Sequence, residues 1–177
     1  LWHLNNTGQN VESGKSSEGD VNLMGGLPGA DMDVNLAWDF TTGSASVEVG
    51  VFDTGIDSTH PDLVSNVLTG FNSVTNTYGV ANDDGSHGTA VAGLIGAIIN
   101  NSLGVAGVAG GCKIRSFKIF NSVGSTSNTI LARAFDTARV LGTPILSNSW
   151  GGGTPNVTLT NAINNCATNG RGGIGVV

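Results

Sequence analysis

Apolar positions along the chain fall into short runs separated by glycine- and asparagine-rich turns. Val47 to Phe52 is a continuous β-prone run cut off by Asp53 and the Thr54-Gly55 turn, which predicts a strand buried on both faces and ending at Asp53. Leu63 to Phe71 is a second apolar stretch with room for a short strand, and the polar segment 76–85 follows as a loop. Ser86 to Ile99 is apolar at nearly every position, so a fully buried helix with Ser86 at its N-cap is predicted. From Lys113 the pattern alternates regularly: strand Ile114 to Phe120, helix Asn128 to Leu141, strand Pro144 to Asn148, helix Val157 to Thr168 and strand Ile174 to Val177. Ile130, Leu131, Ala134, Phe135, Ala138 and Leu141 form a helical stripe, with Arg133, Asp136 and Arg139 outside it. Residues 1–32, with breakers at Gly25-Gly26 and Pro28-Gly29, read as an arm on the domain surface. A short helix within Asp33 to Phe40 follows, carrying Leu36, Ala37 and Trp38 inward.

This β-α-β-α-β order with short connections predicts an α/β fold: a three-layer αβα arrangement with a mostly parallel central sheet and right-handed crossovers. No repeat or composition shift divides the 177 residues, so they read as a single domain. With 39% hydrophobic residues the chain can build a core. Only seven residues are Lys or Arg and the net charge is −6, which leaves no basic face for a phosphate backbone and argues against a nucleic-acid partner. The longest apolar run, Val91 to Ile99, is too short for a bilayer, and Leu1 opens no signal pattern, so the chain reads as mature, soluble and not membrane-bound. The scarcity of Lys points weakly to an extracellular protein. Cys112 and Cys166 allow one disulfide or two buried thiols, and the sequence leaves both open.

An aspartate at a strand end and a histidine at the start of a helix are the two charge-handling members of a Ser-His-Asp relay. The carboxylate fixes the imidazole tautomer, and the other ring nitrogen takes a proton from a hydroxyl. Asp53 and His87 suit those places. A metal hydrolase built from Asp53, Asp57, His60, Asp62, Asp83, Asp84 and His87 is a weaker alternative, because no His-x-x-x-His or comparable ligand pair is present.

Three segments carry a resemblance. Phe52-Asp53-Thr54-Gly55-Ile56-Asp57-Ser58-Thr59-His60-Pro61-Asp62-Leu63, Ser86-His87-Gly88-Thr89-Ala90-Val91-Ala92-Gly93 and Ser147-Asn148-Ser149-Trp150-Gly151-Gly152 resemble, in order and spacing, the signatures of the subtilisin-like serine proteases. Trp2-His3-Leu4-Asn5-Asn6-Thr7-Gly8-Gln9 is similar to the mature start of bacterial members. The resemblance implies a subtilisin-like fold, a secreted serine endopeptidase acting on polypeptides, and Asp53 and His87 as catalytic residues. It further implies that Ser149, Trp150 and Gly151 pair with the substrate backbone, with Gly151 to Gly153 leaving its approach open, and that Ser125 belongs to the opposite edge of the cleft. Ile99 to Val105 resembles the family's calcium loop. That implies a structural calcium held by the Asn101 side chain, the carbonyls of Ile99, Leu103 and Val105 and the Asp62 carboxylate, with Gln9 a weak further candidate.

The resemblance stops short of the family's nucleophile. No Gly-Thr-Ser-x-Ala-x-Pro run is present, and no Ala-Gly-Asn turn follows Val177 to supply the oxyanion-hole side chain. Such a donor is worth ~3 kcal/mol of barrier and the nucleophile more. The chain therefore reads as the N-terminal and central part of a catalytic domain, inactive alone, with the missing C-terminal segment as a second chain one explanation. A subtilase-like module that binds peptides without cleaving them is another.

Overall fold

The computed structural model describes residues 3–15, 21–79, 81–154 and 156–177. Leu1–Thr42 and Gly43–Val177 form two compact units. Trp2, part of the motif at the start of the chain, lies outside the described residues.

In the first unit β1 (Asn10–Lys15) and β2 (Val21–Gly25) pair antiparallel, with an irregularity between Glu12 and Lys15. A ladder of this kind joins two segments too short and polar to announce themselves as strands. Helix α1 (Val34–Trp38) is shorter than predicted and turns Val34 inward, while Leu36 is exposed. One helical turn can bury only one such position.

The second unit contains β3 (Glu48–Asp53), β4 (Val67–Asn72), β5 (Thr77–Gly79), α2 (His87–Gly96), β6 (Lys113–Lys118), α3 (Asn128–Leu141), β7 (Ile145–Asn148) and α4 (Val157–Asn169). The sheet order is β5-β4-β6-β3-β7, parallel except for the β4–β5 pair. β3 lies between β6 and β7, so its backbone is paired on both edges and its side chains are covered on both faces. That explains the unbroken apolar run.

Successive β3 residues point to opposite faces. Phe52 faces a core shared with Phe117, Phe135 and the α4 residues Ala162 and Cys166, its ring 4.7 Å from Phe117 and 4.8 Å from Phe135. Val51 faces the other core, with Ile114, Leu63 and the α2 residue Ala92. Two residues beyond Val51, Asp53 falls on the α2 face. The result is a three-layer αβα arrangement around a mostly parallel sheet.

Two helices begin where polar side chains cap them: Ser127 Oγ accepts from Ile130 N–H, and Asn156 Oδ1 from Thr158 and Leu159 N–H. Three expectations are corrected. Helix α2 is not buried all round. Its stripe against the sheet is Gly88, Ala92 and Gly96, small enough for close backbone approach, so the larger Leu94 is half-exposed. Ser86 is not a side-chain cap, since it adopts a left-handed conformation (φ 63°) and makes no capping bond. The strand Ile174–Val177 is not formed. Gly170–Gly173 is a 3-10 turn and Gly175 has φ 89°, which bends the chain. Only Val177 reaches β7, donating to Pro144 O (3.1 Å) and accepting from Leu146 N (2.8 Å), the bonding pattern of a parallel pair.

Candidate active site

Parallel sheets place ligands beyond the carboxyl ends of their strands, and Asp53 is the last residue of β3. It is 1% exposed. Its Oδ1 accepts the Thr54 N–H (2.7 Å) and lies 2.7 Å from His87 Nδ1, whereas Oδ2 is buried with no partner. A carboxylate only accepts, so Nδ1 donates to it, and in the neutral imidazole Nε2 holds the lone pair. The His87 side chain is 57% exposed, and its imidazole makes no other hydrogen bond among the described residues. This unit can hold an imidazole in one tautomer with a basic nitrogen facing outward.

Glycines bring the two residues together. A Cβ on Gly88 would lie 2.1 Å from Gly55 O and 3.0 Å from the Asp53 Cβ, so only glycine lets α2 begin against the strand end. Gly55 has φ 114°, and a Cβ there would meet Asn82 O at 2.3 Å. The loop before α2 is held at Lys118, the β6 residue in register with Asp53: its Nζ bonds Asn82 O (2.7 Å) and the Asp84 carboxylate (2.5 Å). Without a cap from Ser86, the first N–H groups of α2 find acceptors elsewhere. Gly88 N donates to Thr54 Oγ1 (3.0 Å) and Thr89 N to Asp83 Oδ2 (2.8 Å). Burial pushes the Asp83 carboxyl up, but hydrogen bonds from the Thr54 and Thr89 side chains and the Gly85 and Thr89 amides outweigh it and hold Asp83 below its ordinary value. Asp57 is held low by the Thr59 hydroxyl and amide.

Asp62, also buried, accepts from Asn101 Nδ2 (2.7 Å) and Val105 N (2.8 Å), while Asn101 Oδ1 accepts from Leu103 N (3.0 Å). Gly104 makes room, because a Cβ there would lie 2.3 Å from Asp62 Oδ2. No cationic side chain pairs with Asp62 among the described residues. A buried carboxylate without a counter-charge, amid a loop rich in carbonyls, fits a hard divalent cation once the Asn101 amide turns its oxygen inward.

Ser149, Trp150 and Gly151 leave the end of β7 as irregular chain, with Ser149 and Gly151 exposed. Ser125 closes a turn on Asn121, whose Oδ1 accepts from Val123 N (3.1 Å) and Ser125 N (2.8 Å). None of these residues hydrogen-bonds to the Asp53–His87 pair among the described residues. A cavity of about 900 Å³ is lined by Asp57, His60, Asp62, Asp83, Thr89 and Leu94 among others, but neither Asp53 nor His87 lines it. The seven Asp and His residues of the metal-hydrolase alternative do not converge: among the described residues no three His, Cys, Asp or Glu side chains meet as potential ligands. Cys112 and Cys166 are buried free thiols. Thr54 and Thr89 lie within the sequence motifs, but no role for their hydroxyls follows from the sequence. The available sequence signal is an Asp four residues before a helix-initial His.

A subtilase family profile matches residues 44–177. The chain belongs to the subtilase family. It is 38% identical over 130 residues to the thermophilic serine proteinase of Bacillus sp. (strain AK1), covering 73% of this chain and 32% of that protein. It is 37% identical over 128 residues to thermitase of Thermoactinomyces vulgaris, covering 72% and 45%. Among solved structures, a Pseudoalteromonas arctica protease superposes with TM-score 0.66 at 32% identity, over 76% of this chain and 50% of that one. Fervidolysin of Fervidobacterium pennivorans gives 0.64 at 32%, over 72% and 20%. This subtilase chain thus spans from about a third to under half of these curated relatives.

Proposed function

We propose that this subtilase chain supplies the Asp and His of a serine endopeptidase relay, and that the serine comes from a segment not among these 177 residues. The observation that carries the reading is the 2.7 Å bond between His87 Nδ1 and the buried Asp53. Asp53 orients the imidazole and stabilises the imidazolium. His87 Nε2 takes the proton of the serine hydroxyl as it attacks the peptide carbonyl, then gives it to the leaving amine. Ser149, Trp150 and Gly151 pair with the substrate backbone on one side of the cleft and Ser125 borders the other. The exposed Gly151 to Gly153, where a Cβ would meet nothing within 4 Å, support that role by keeping the approach open. Asp62, Asn101 and the carbonyls of Ile99, Leu103 and Val105 would hold a structural calcium, whose charge would compensate Asp62 and fix the loop after α2. The protein acts outside the cell.

The chain alone is expected to be inactive. Mixing it with the serine-bearing segment of a subtilase, then assaying a peptide substrate and an active-site serine reagent, tests this. Hydrolysis and labelling should appear only in the mixture, and no gain over either component would sink the proposal.

A further inference from the structure

Asp83 touches neither member of the relay, yet its carboxylate is engaged as fully as any among the described residues. Oδ1 accepts from Thr54 Oγ1 (2.6 Å) and Gly85 N (2.9 Å), and Oδ2 from Thr89 N (2.8 Å) and Thr89 Oγ1 (2.6 Å). Each hydroxyl it binds is itself a bridge. Thr54 has one hydroxyl proton and gives it to Asp83, so its oxygen can accept the Gly88 N–H at 3.0 Å. Thr89 likewise gives its proton to Asp83 and accepts the Asp57 N–H at 2.9 Å. Thr54 and Gly88 are the chain neighbours of Asp53 and His87, respectively.

From this geometry we infer that Asp83 is a positioning residue for the Asp53–His87 pair: by fixing the direction of both threonine hydroxyls it clamps the end of β3 to the start of α2. The inference rests on the relay reading above. It also accounts for the unusual start of α2. Ser86, held at φ 63°, cannot cap the helix, and a carboxylate from the preceding loop takes over, its negative charge placed where the helix dipole favours it. Asp84, next in the chain, is used differently, since its carboxylate is bound by Lys118 and makes no contact with either threonine. Two adjacent aspartates of equal charge therefore separate the clamp from simple electrostatics.

The test uses proton NMR of the 177-residue chain, following the low-field resonance of the His87 Nδ1 proton in its bond to Asp53. That readout needs no serine. D83N keeps the shape but turns one acceptor into an amide that opposes both Thr89 donors, and should abolish or broaden the resonance. T54V removes the bridging hydroxyl without changing charge and should do the same, whereas T54S restores it and D84N retains it. Thermal melting of each variant reports folding; if D83N unfolds the chain, T54V against T54S carries the test. A wild-type resonance in T54V, or its loss in D84N, overturns the clamp. If the resonance is missing from the wild-type chain or persists in D53N, the relay reading itself fails, an outcome distinct from failure of the clamp alone.

Discussion

Replacing Gly88 with alanine isolates the close approach on which the Asp53–His87 geometry depends. The new methyl would sit 2.1 Å from Gly55 O and 3.0 Å from the Asp53 Cβ. Carbon–oxygen contacts ordinarily settle at about 3.3 Å, so strand end and helix start must separate by about 1 Å. Both clashing partners are backbone or backbone-adjacent, and neither can rotate away. Overpacking of this kind costs about 1–3 kcal/mol, and alanine returns about 1 kcal/mol of helix propensity; with the clash at the severe end of that range, the net loss is about 2 kcal/mol. A urea slope of about 2 kcal/mol per molar converts that into a midpoint about 1 M lower. The same displacement stretches the 2.7 Å His87–Asp53 bond beyond hydrogen-bonding range. In a reconstituted enzyme a 1 Å misplacement is worth about 100-fold in rate. Gly93→Ala is the control, in the same helix, where the nearest atom is Val105 Cγ2 at 3.9 Å. It should raise the midpoint by roughly half a molar. Urea denaturation of both variants decides. If Gly88→Ala unfolds at the wild-type midpoint, or Gly93→Ala falls as far as Gly88→Ala, the close-approach reasoning is wrong.

Three further outcomes are expected. Because the Asp83 carboxyl is held below its ordinary value of 3.8, its bonds stabilise the fold at higher pH and release that stability as pH falls through the lowered value. The gap in melting temperature between wild type and D83N should be steady between roughly pH 5 and pH 7 and close below the ordinary value; a gap that widens on acidification reverses the sign. A calcium ion bound at Asp62 should raise the melting temperature, by about 2.7 kcal/mol of stability at a hundredfold excess over its Kd, and D62N should abolish the response. A wild-type melt indifferent to calcium and chelator would remove that site. Burial, then the nearby Asp136, pushes the Cys166 thiol up, and Cys112 is buried from reagent, so both thiols should resist a thiol reagent in the folded chain and react together on unfolding. An intact mass altered by reductant would instead reveal a disulfide.

The strand ending at Asp53 was legible because β3 is buried on both faces, and only an abrupt polar residue can close such a run. Helix Asn128–Leu141 was legible to the residue, since an amphipathic stripe and the left-handed Gly142 mark its span. Helix α2 was legible as a helix but not in its orientation. An all-apolar sequence carries no phase, and what selects the sheet-facing side is the absence of side-chain volume at Gly88, Ala92 and Gly96. The β1–β2 ladder lacks any apolar alternation long enough to read, and Ile174–Val177 looks like a strand until the turns at Gly173 and Gly175 are seen. At the site, motif spacing pointed to Asp53 and His87, but the Asp83 clamp depends on the directions of two hydroxyl groups, which no spacing encodes.

The central place of β3 also sets an order of events during synthesis. Glu48, at its first residue, is bound by Arg115, 67 residues further on, and by Thr143, 95 residues further on. Both long-range partners of the strand must leave the ribosome before it is flanked, and closing loops of that length makes folding slow. Until β6 emerges this apolar segment has both edges bare, and until β7 emerges it has one, open to pairing with another copy. The yield on refolding of a protein with this topology should therefore fall as concentration rises.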